Sequence, residues 1–326
     1  MSPAAYGMAI VLGLLWGSFA NVCIYRWPAG ASVVAPGSRC GACLTPIPWY
    51  DNVPVLAWLW LRGRCRACGA TFSPRYMVVE AVTAALFGVA WWASVVAPQL
   101  FEPFDRRLLH FAIYAAFCFV MVVITFIDLD HKLILNKITV PSIAIFYLAA
   151  FAWPEQRWYD GVVGAAVGYG LPWAIRGIYY LITRREGMGL GDAMLLAVIG
   201  ALLGWRGVVV SLFGGSTIGA IVGITALIAG RSRRGRVWRG RIRRGVVWLG
   251  RGRRGARRRG RRGGGRRRRQ GRHRRVTGRQ ALPRPAVERT SVMRAELPFG
   301  PFLAIAAVLY LFAAPWIEIH FHLPGG

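Results

Sequence analysis

Acidic residues are scarce in this chain: only 13 of 326 residues are Asp or Glu, against 42 Lys and Arg. No Lys or Arg precedes the first apolar run, and the first positive charge is Arg26. That order excludes a secretory signal, which carries its charge ahead of the apolar stretch. No Gly-rich nucleotide-binding fingerprint is present either. Uncharged stretches, by contrast, are long and frequent, and apolar residues make up 55% of the chain. A soluble globular protein is therefore excluded.

Tyr6–Tyr25, Val82–Leu100, Leu108–Phe126, Gly207–Gly230 and Leu297–Ile317 each lack a formal charge over 19 to 24 residues. A helix needs roughly 20 such residues to cross the hydrocarbon core. Helices also satisfy their own backbone bonds in lipid. Three shorter runs, Ile138–Trp153, Gly161–Ile175 and Ala193–Trp205, raise the expected count to about eight spans. The expectation is an all-α polytopic membrane protein. Basic loops stay in the cytoplasm. This puts the loop from Arg26, residues 127–137, 184–192 and 231–294 inside, with Arg206 as the dissenting charge.

The formal charge of +29 comes mostly from one segment. Residues 231–279 hold 24 arginines and no acid. A block of like charge repels itself and buries no core, so residues 231–296 are expected to be a disordered cytoplasmic insert. It would lie against anionic lipid, where each basic residue contributes about 1 kcal/mol. Phosphate affinity is generic, and no specific nucleic-acid partner is expected.

Four cysteines fall between Arg26 and Tyr76, as Cys40-x-x-Cys43 and Cys65-x-x-Cys68 with 21 residues between the pairs. This spacing suits a tetrahedral four-thiolate zinc site, and thiolates persist in the cytoplasm. Two disulfides would require the opposite face. Four protein thiolates leave no open position, so the ion would be structural. Cys23 and Cys118 lie in spans and read as ordinary packing. Asp51 and Asn52 read as turn residues.

The stretch "REGMGLGDAM" ends a basic loop with Gly187, Gly189 and Gly191 alternating toward Asp192. In "FIDLDHKLILNK", Asp128 follows an uncharged span and Asp130 lies two residues on. The charge map sets all three acids on one membrane face. Acids near the bilayer are costly without a partner or a task. Two close carboxylates do not both ionise readily; one holds a proton while the other acts as base. Such a pair activates water and protonates a leaving amine. The competing reading is that these acids cap helix N-termini. The glycines would admit a partner helix or an extended chain closely.

These pieces resemble the type IV prepilin peptidases, GxGD-type membrane aspartic peptidases that are also N-methyltransferases. The resemblance rests on "GSFANVCIYRWP", the four-cysteine loop, "SPRYMVVE", "FIDLDHKLI", "EGMGLGD" and "LPFGPFLAIAA". It covers about 1–230 and 295–318 and omits the arginine insert. It implies that Asp128 and Asp192 are the catalytic pair. Prepilins of type IV pili and pseudopilins of type II secretion would be cut after the glycine of a basic leader. Methylation of the new N-terminus by S-adenosylmethionine would follow. Glu80 and Glu186 would meet the leader's charge, and Asp130 would be polar support. Leu135-Asn136 stands where the family often has Pro-Asp, and Met194 where it commonly has lysine. A family of this kind works in the bacterial inner membrane with its active site facing the cytoplasm.

The expected layout has a first span over 1–25, a cytoplasmic zinc-binding loop domain over 26–76 and a peptidase core of about six helices over 77–230. The insert follows, then a last span over 297–318 and a tail over 319–326. Open alternatives are a peptidase without methyl transfer, a zinc-containing scaffold, and a transporter using the acids as a proton relay.

Overall fold

The computed structural model describes residues 3–97, 102–153, 157–184, 189–245 and 298–321. The chain divides into two compact units, Met1–Val222 with Leu297–Gly326, and Gly223–Glu296. The first unit holds every candidate site residue and is built from helices around one apolar core.

Helix α1 (Pro3–Arg26) opens on proline, whose missing N–H costs nothing at a helix start. Gly13 and Gly17 lie on one face, four residues apart. A Cβ there would come within 2.7 Å of the Ala84 Cα and 2.6 Å of the Glu80 Cα. Two glycines thus bring α1 against α3 (Arg75–Trp91) at backbone contact, the small-residue packing of membrane helices. The short helix α2 (Leu56–Trp60) lies in the intervening loop. Helix α3 continues as a π-helical turn, Trp92–Val96.

Helix α4 (Phe104–His131) supplies the middle of the core through Phe117, Met121, Ile124 and Ile127. It stops where Lys132 turns left-handed at φ 51°, its N–H donating to the Asp128 carbonyl at 2.8 Å. Helices α5 (Asn136–Ala150) and α6 (Trp158–Thr183) each contain an internal proline, Pro141 and Pro172. Helix α7 (Leu190–Gly245) is broken at Gly204, where φ 66° and ψ −175° are open to glycine. Its first part packs Leu195, Leu196 and Ile199 into the core. Where α6 crosses α7, a Cβ on Gly164 would lie 2.2 Å from the Gly200 carbonyl oxygen, and one on Gly200 2.1 Å from that of Gly164. Helix α8 (Gly300–Phe321) completes the core with Leu303 and Leu311.

Among the described residues, four helices are long and apolar enough to cross a membrane: Pro3–Arg26, Arg75–Val96, Phe104–His131 and Leu190–Ala229. The expected count of about eight is not reached by this measure. Helix α5 has only 15 residues, about 22 Å of rise against a core of about 30 Å. Helix α6 is long but carries Asp160 and Arg176, and the apolar part of α8, Gly300–Ala314, is shorter. Val11, Leu15, Phe213 and Ile221 point outward, as a lipid-facing surface requires. Disorder was expected from residue 231, yet the helical backbone of α7 runs to Gly245. Arginine is a good helix former despite its charge, because its straight side chain loses little freedom in a helix. Residues 246–297 lie outside the described residues.

Candidate active site and cysteine lobe

Asp128 occupies the last turn of α4 and points into the bundle, only 5% exposed. The N–H of Gly300, the first residue of α8, donates to its carboxylate. Its Oδ2 is buried and has no hydrogen-bond partner among the described residues. Asp192 sits half-buried in the first turn of α7, where the Gly189 N–H donates to its carboxylate. The two carboxylates lie within electrostatic reach of each other. Ile134, in the turn between α4 and α5, is the wedge of the arrangement. A Cβ on Gly191 would lie 2.9 Å from the Ile134 Cβ, and one on Gly300 3.3 Å from its Cδ1. The starts of α7 and α8 therefore close on the end of α4 because glycine stands at each contact. Glu186 and Gly187 lie outside the described residues.

Asp130, in contrast, is held by the Arg75 guanidinium, which pairs with both of its carboxylate oxygens. The same guanidinium donates to the Phe126 carbonyl at 2.9 Å and lies over the Phe126 ring at 5.0 Å. Glu80 is turned inward at 8% exposure, accepting from the Val55 N–H at 2.7 Å and from Ser18 and Asn21. Residues of the first motif also acquire roles: Asn21 donates to the Tyr76 carbonyl at 3.0 Å, and Arg26 bonds the carbonyls of Ser32, Pro36 and Gly37. Neither Gly300 nor Ile134 nor Arg75 was singled out from sequence. Each lies inside a motif that carries the family resemblance, "LPFGPFLAIAA" for Gly300, but nothing in that motif marks it for a contact with Asp128.

The four loop cysteines converge, with all four sulfurs within 4.8 Å of one another. Their loops are built alike. The Cys40 N–H donates to the Thr45 carbonyl and the Cys65 N–H to the Ala70 carbonyl; Leu44 and Gly69 return bonds to the cysteine carbonyls. Leu44 (φ 60°) and Gly69 (φ 70°) make the same left-handed turn, and one bridge closes each loop, Arg39 to Pro46 and Arg64 to Thr71. Thiolates at about 2.3 Å from a tetrahedral ion stand about 3.8 Å apart. The sulfurs of Cys40 and Cys68 are 3.8 Å apart and those of Cys43 and Cys65 4.0 Å, so the set fits a zinc-sized ion. A disulfide needs about 2.05 Å, and all six cysteines are free.

Local hydrogen bonds prepare some of these thiols. The Thr45 hydroxyl, 3.2 Å away, and the Thr45 backbone push Cys43 down to about 6. The Cys68 and Ala67 backbones lower Cys65. Bonding to the Ala70 backbone pulls Cys68 down, but the neighbouring thiols outweigh it and drive Cys68 up to about 12. Asp51, in the 3-10 turn Trp49–Asn52, clamps the second loop. Arg66 donates through Nε at 2.8 Å and Nη2 at 2.6 Å, which holds the Asp51 carboxyl below its ordinary range.

Between the end of α1, the start of α3 and the cysteine loops lies a cleft of about 1020 Å³, with Glu80 in its lining.

The whole is a membrane-helical protein with two carboxylates within electrostatic reach of each other and a four-thiol lobe. Residues 11–94 match the Bacterial Peptidase A24 N-terminal domain, and residues 115–224 match the Type IV leader peptidase family. Three similar proteins carry the name prepilin leader peptidase/N-methyltransferase. That of Myxococcus xanthus (strain DK1622) is 37% identical over 223 residues, 67% of this chain and 62% of the relative. That of Aeromonas salmonicida is 34% identical over 251 residues, 68% and 81% of the two chains. That of Neisseria gonorrhoeae is 34% identical over 267 residues, 72% and 86%. The chain thus spans less than two thirds of the Myxococcus relative and more than four fifths of the other two. No solved structure matches it. The chain belongs to the type IV leader peptidase family.

Proposed function

We propose that this chain is a prepilin peptidase and N-methyltransferase of the bacterial cytoplasmic membrane, with Asp128 and Asp192 as its water-activating pair. The observation that supports this reading is that these two acids, 64 positions apart in a chain with 13, lie within electrostatic reach of each other inside the matched family region. One carboxylate accepts a proton from water as its oxygen attacks the scissile carbonyl carbon. The other, protonated, gives its proton to the leaving nitrogen as the C–N bond breaks. Products are a leader carboxylate and a new N-terminal amine. The Gly300 N–H and the Gly189 N–H orient the two carboxylates. Asp130 acts as polar support, fixed by Arg75.

The substrates are prepilin and pseudopilin precursors, whose basic leader meets this face from the cytoplasm. S-adenosylmethionine, when bound, supplies a methyl group for the new amine. Cys40, Cys43, Cys65 and Cys68 would hold zinc, which supplies a structural crosslink of the lobe. The chain crosses the membrane about eight times, counting α5, α6, both parts of α7 and α8 as spans. The arginine-rich segment rests on anionic lipid and serves no specific nucleic acid.

The test is leader cleavage in proteoliposomes, using a prepilin-like precursor with a basic leader ending in glycine and reading the product N-terminus by mass. Asp128→Asn and Asp192→Asn should each reduce cleavage about a hundredfold or more. A gain of one methyl group on adding S-adenosylmethionine reports the second step. Cleavage by Asp192→Asn at the wild-type rate refutes the aspartyl mechanism.

A further inference from the structure

We infer that helix α2 is an interfacial anchor: its outer face, Leu56, Leu59 and Trp60, beds the cysteine lobe on the lipid surface beside the candidate spans α1 and α3. The inference concerns where the lobe lies and stands apart from the cleavage chemistry. Residues 53–61, "VPVLAWLWL", hold no charged side chain, hydroxyl or amide. Helix α2 shares these residues between two faces. Ala57, Trp58 and Leu61 line the cleft. Leu56, Leu59 and Trp60, spaced at i, i+3 and i+4, share the other face and are 64%, 54% and 83% exposed. The adjoining 3-10 turn exposes Trp49 as well. A helix lying on a protein in water carries polar residues on its outer side, and α2 has none.

The helix is pinned at both ends, so its outward face is fixed. Val55, its N-cap, stands at φ 61°. A β-branched residue rarely adopts that conformation and keeps it only where its surroundings impose it. The Val55 N–H donates to Glu80 Oε2 at 2.7 Å. At the other end Gly63, left-handed at φ 64°, closes on the inner face: a Cβ there would lie 2.9 Å from the Trp58 Cε2. The Gly63 N–H donates to the Trp58 carbonyl at 2.9 Å.

Depth and composition select lipid as the occupant. Glu80 stands five residues past Arg75 in the candidate span Arg75–Val96, about 8 Å along its axis. That span rises about 33 Å, close to the ~30 Å of hydrocarbon it would cross. The bond from Val55 to Glu80 therefore sets the start of α2 at the bilayer boundary, within the depth of about 5–10 Å at which interfacial helices lie. At the same end of the spans, Tyr25 of α1 and Tyr76 and Val78 of α3 are exposed too. Tryptophan and tyrosine concentrate at the headgroup level. Arg62 and Arg64 follow α2 directly, and both are exposed. Their long stems let the guanidinium groups reach lipid phosphates while Trp60 stays at the acyl boundary.

The experiment places the full chain in vesicles of phosphatidylethanolamine and phosphatidylglycerol, part of whose acyl chains carry bromine either near the ester or near the chain end. The emission lost in Trp60→Phe isolates Trp60, and that lost in Trp16→Phe isolates a tryptophan near the middle of α1. Shallow bromine should quench the Trp60 emission about twofold or more better than deep bromine, and the order should reverse for Trp16. Trp60→p-benzoylphenylalanine, on illumination, should form its adducts with lipid. Both substitutions keep an aromatic ring at a position that is 83% exposed, so neither disturbs the core. Unquenched Trp60 emission puts the face in water and overturns the anchor. Quenching with the depth order of Trp16 puts α2 in the hydrocarbon and overturns the interfacial placement. Adducts chiefly with a second copy, or with an added prepilin-like precursor, make the face a protein-docking surface and overturn it as well. None of these readouts depends on leader cleavage, so a failed peptidase assay leaves them intact.

Discussion

Replacing Gly300 with alanine should impair leader cleavage while leaving the protein folded. A Cβ at this position would lie 2.6 Å from the Asp128 Oδ2 and 3.3 Å from its carboxyl carbon, where ordinary contact begins at 3.4 Å. One of the two must move by roughly 0.8 Å. The other side is closed by Ile134, whose Cδ1 would be 3.3 Å from the same Cβ, so the movement falls on the carboxylate or on the start of α8. Either shift lengthens the bond from the Gly300 N–H to Asp128. A misplacement of about 1 Å in a catalytic group costs up to about a hundredfold in rate. Overpacking costs about 1–3 kcal/mol of stability, and alanine returns up to about 1 kcal/mol through helix propensity. The expected outcome is a ten- to hundredfold fall in cleavage with a small change in thermal midpoint. The assay is the proteoliposome cleavage above, with Gly170→Ala, which has open space around its Cβ position, as control. Wild-type cleavage by Gly300→Ala would refute the idea that α8 positions Asp128.

Three further outcomes are expected. Gly200→Ala should destabilise the α6–α7 crossing by about 1–3 kcal/mol or prevent folding, read as a detergent thermal melt, since its Cβ would fall 2.1 Å from the Gly164 carbonyl oxygen; an unchanged midpoint would refute that close approach. Purified wild type should contain about one zinc per chain by elemental analysis, and Cys40→Ser little or none; equal zinc in both would remove the four-thiolate site. Arg75→Met should lower stability by about 1 kcal/mol or less, because the Arg75–Asp130 pair is about one third exposed. It should reduce cleavage severalfold, and adding Asp130→Asn should cost little more if the two act only through each other.

Features visible in the sequence are those carried by local runs of residues. Uncharged stretches of about 20 residues announced α1, α3, α4 and the long α7 without any knowledge of packing. The Cys-x-x-Cys pairs announced a convergence because a knuckle is a local turn used twice. Contacts between distant segments were not visible. Gly300 looks like one more glycine at a helix start, and its meaning appears only when α8 is laid against Asp128. Glu80 was expected to greet a basic leader, but its carboxylate is taken by α1 and by the Val55 N–H, contacts that depend on Gly13 and Gly17 drawing two helices together. Asp128 and Asp130 are separated by one residue, so spacing could not rank them. The structure separates them by rotation: about 200° around the helix axis sends one into the bundle and the other to Arg75.

That rotation bears on the proposed cleavage. Asp128 faces the bundle and Asp130 faces α3, so the last turns of α4 touch both the carboxylate pair and the helix that forms the cleft wall. In the proposed reaction the precursor's new amine is released near Asp128. The Arg75–Asp130 pair fixes α3 against that end of α4, since the same guanidinium also holds the Phe126 carbonyl on the other side of Asp128. Weakening this pair should then lower leader cleavage severalfold by loosening the turn that carries Asp128. Arg75→Met assayed in proteoliposomes measures this directly. Wild-type cleavage by Arg75→Met would mean that Asp128 is held without this tether.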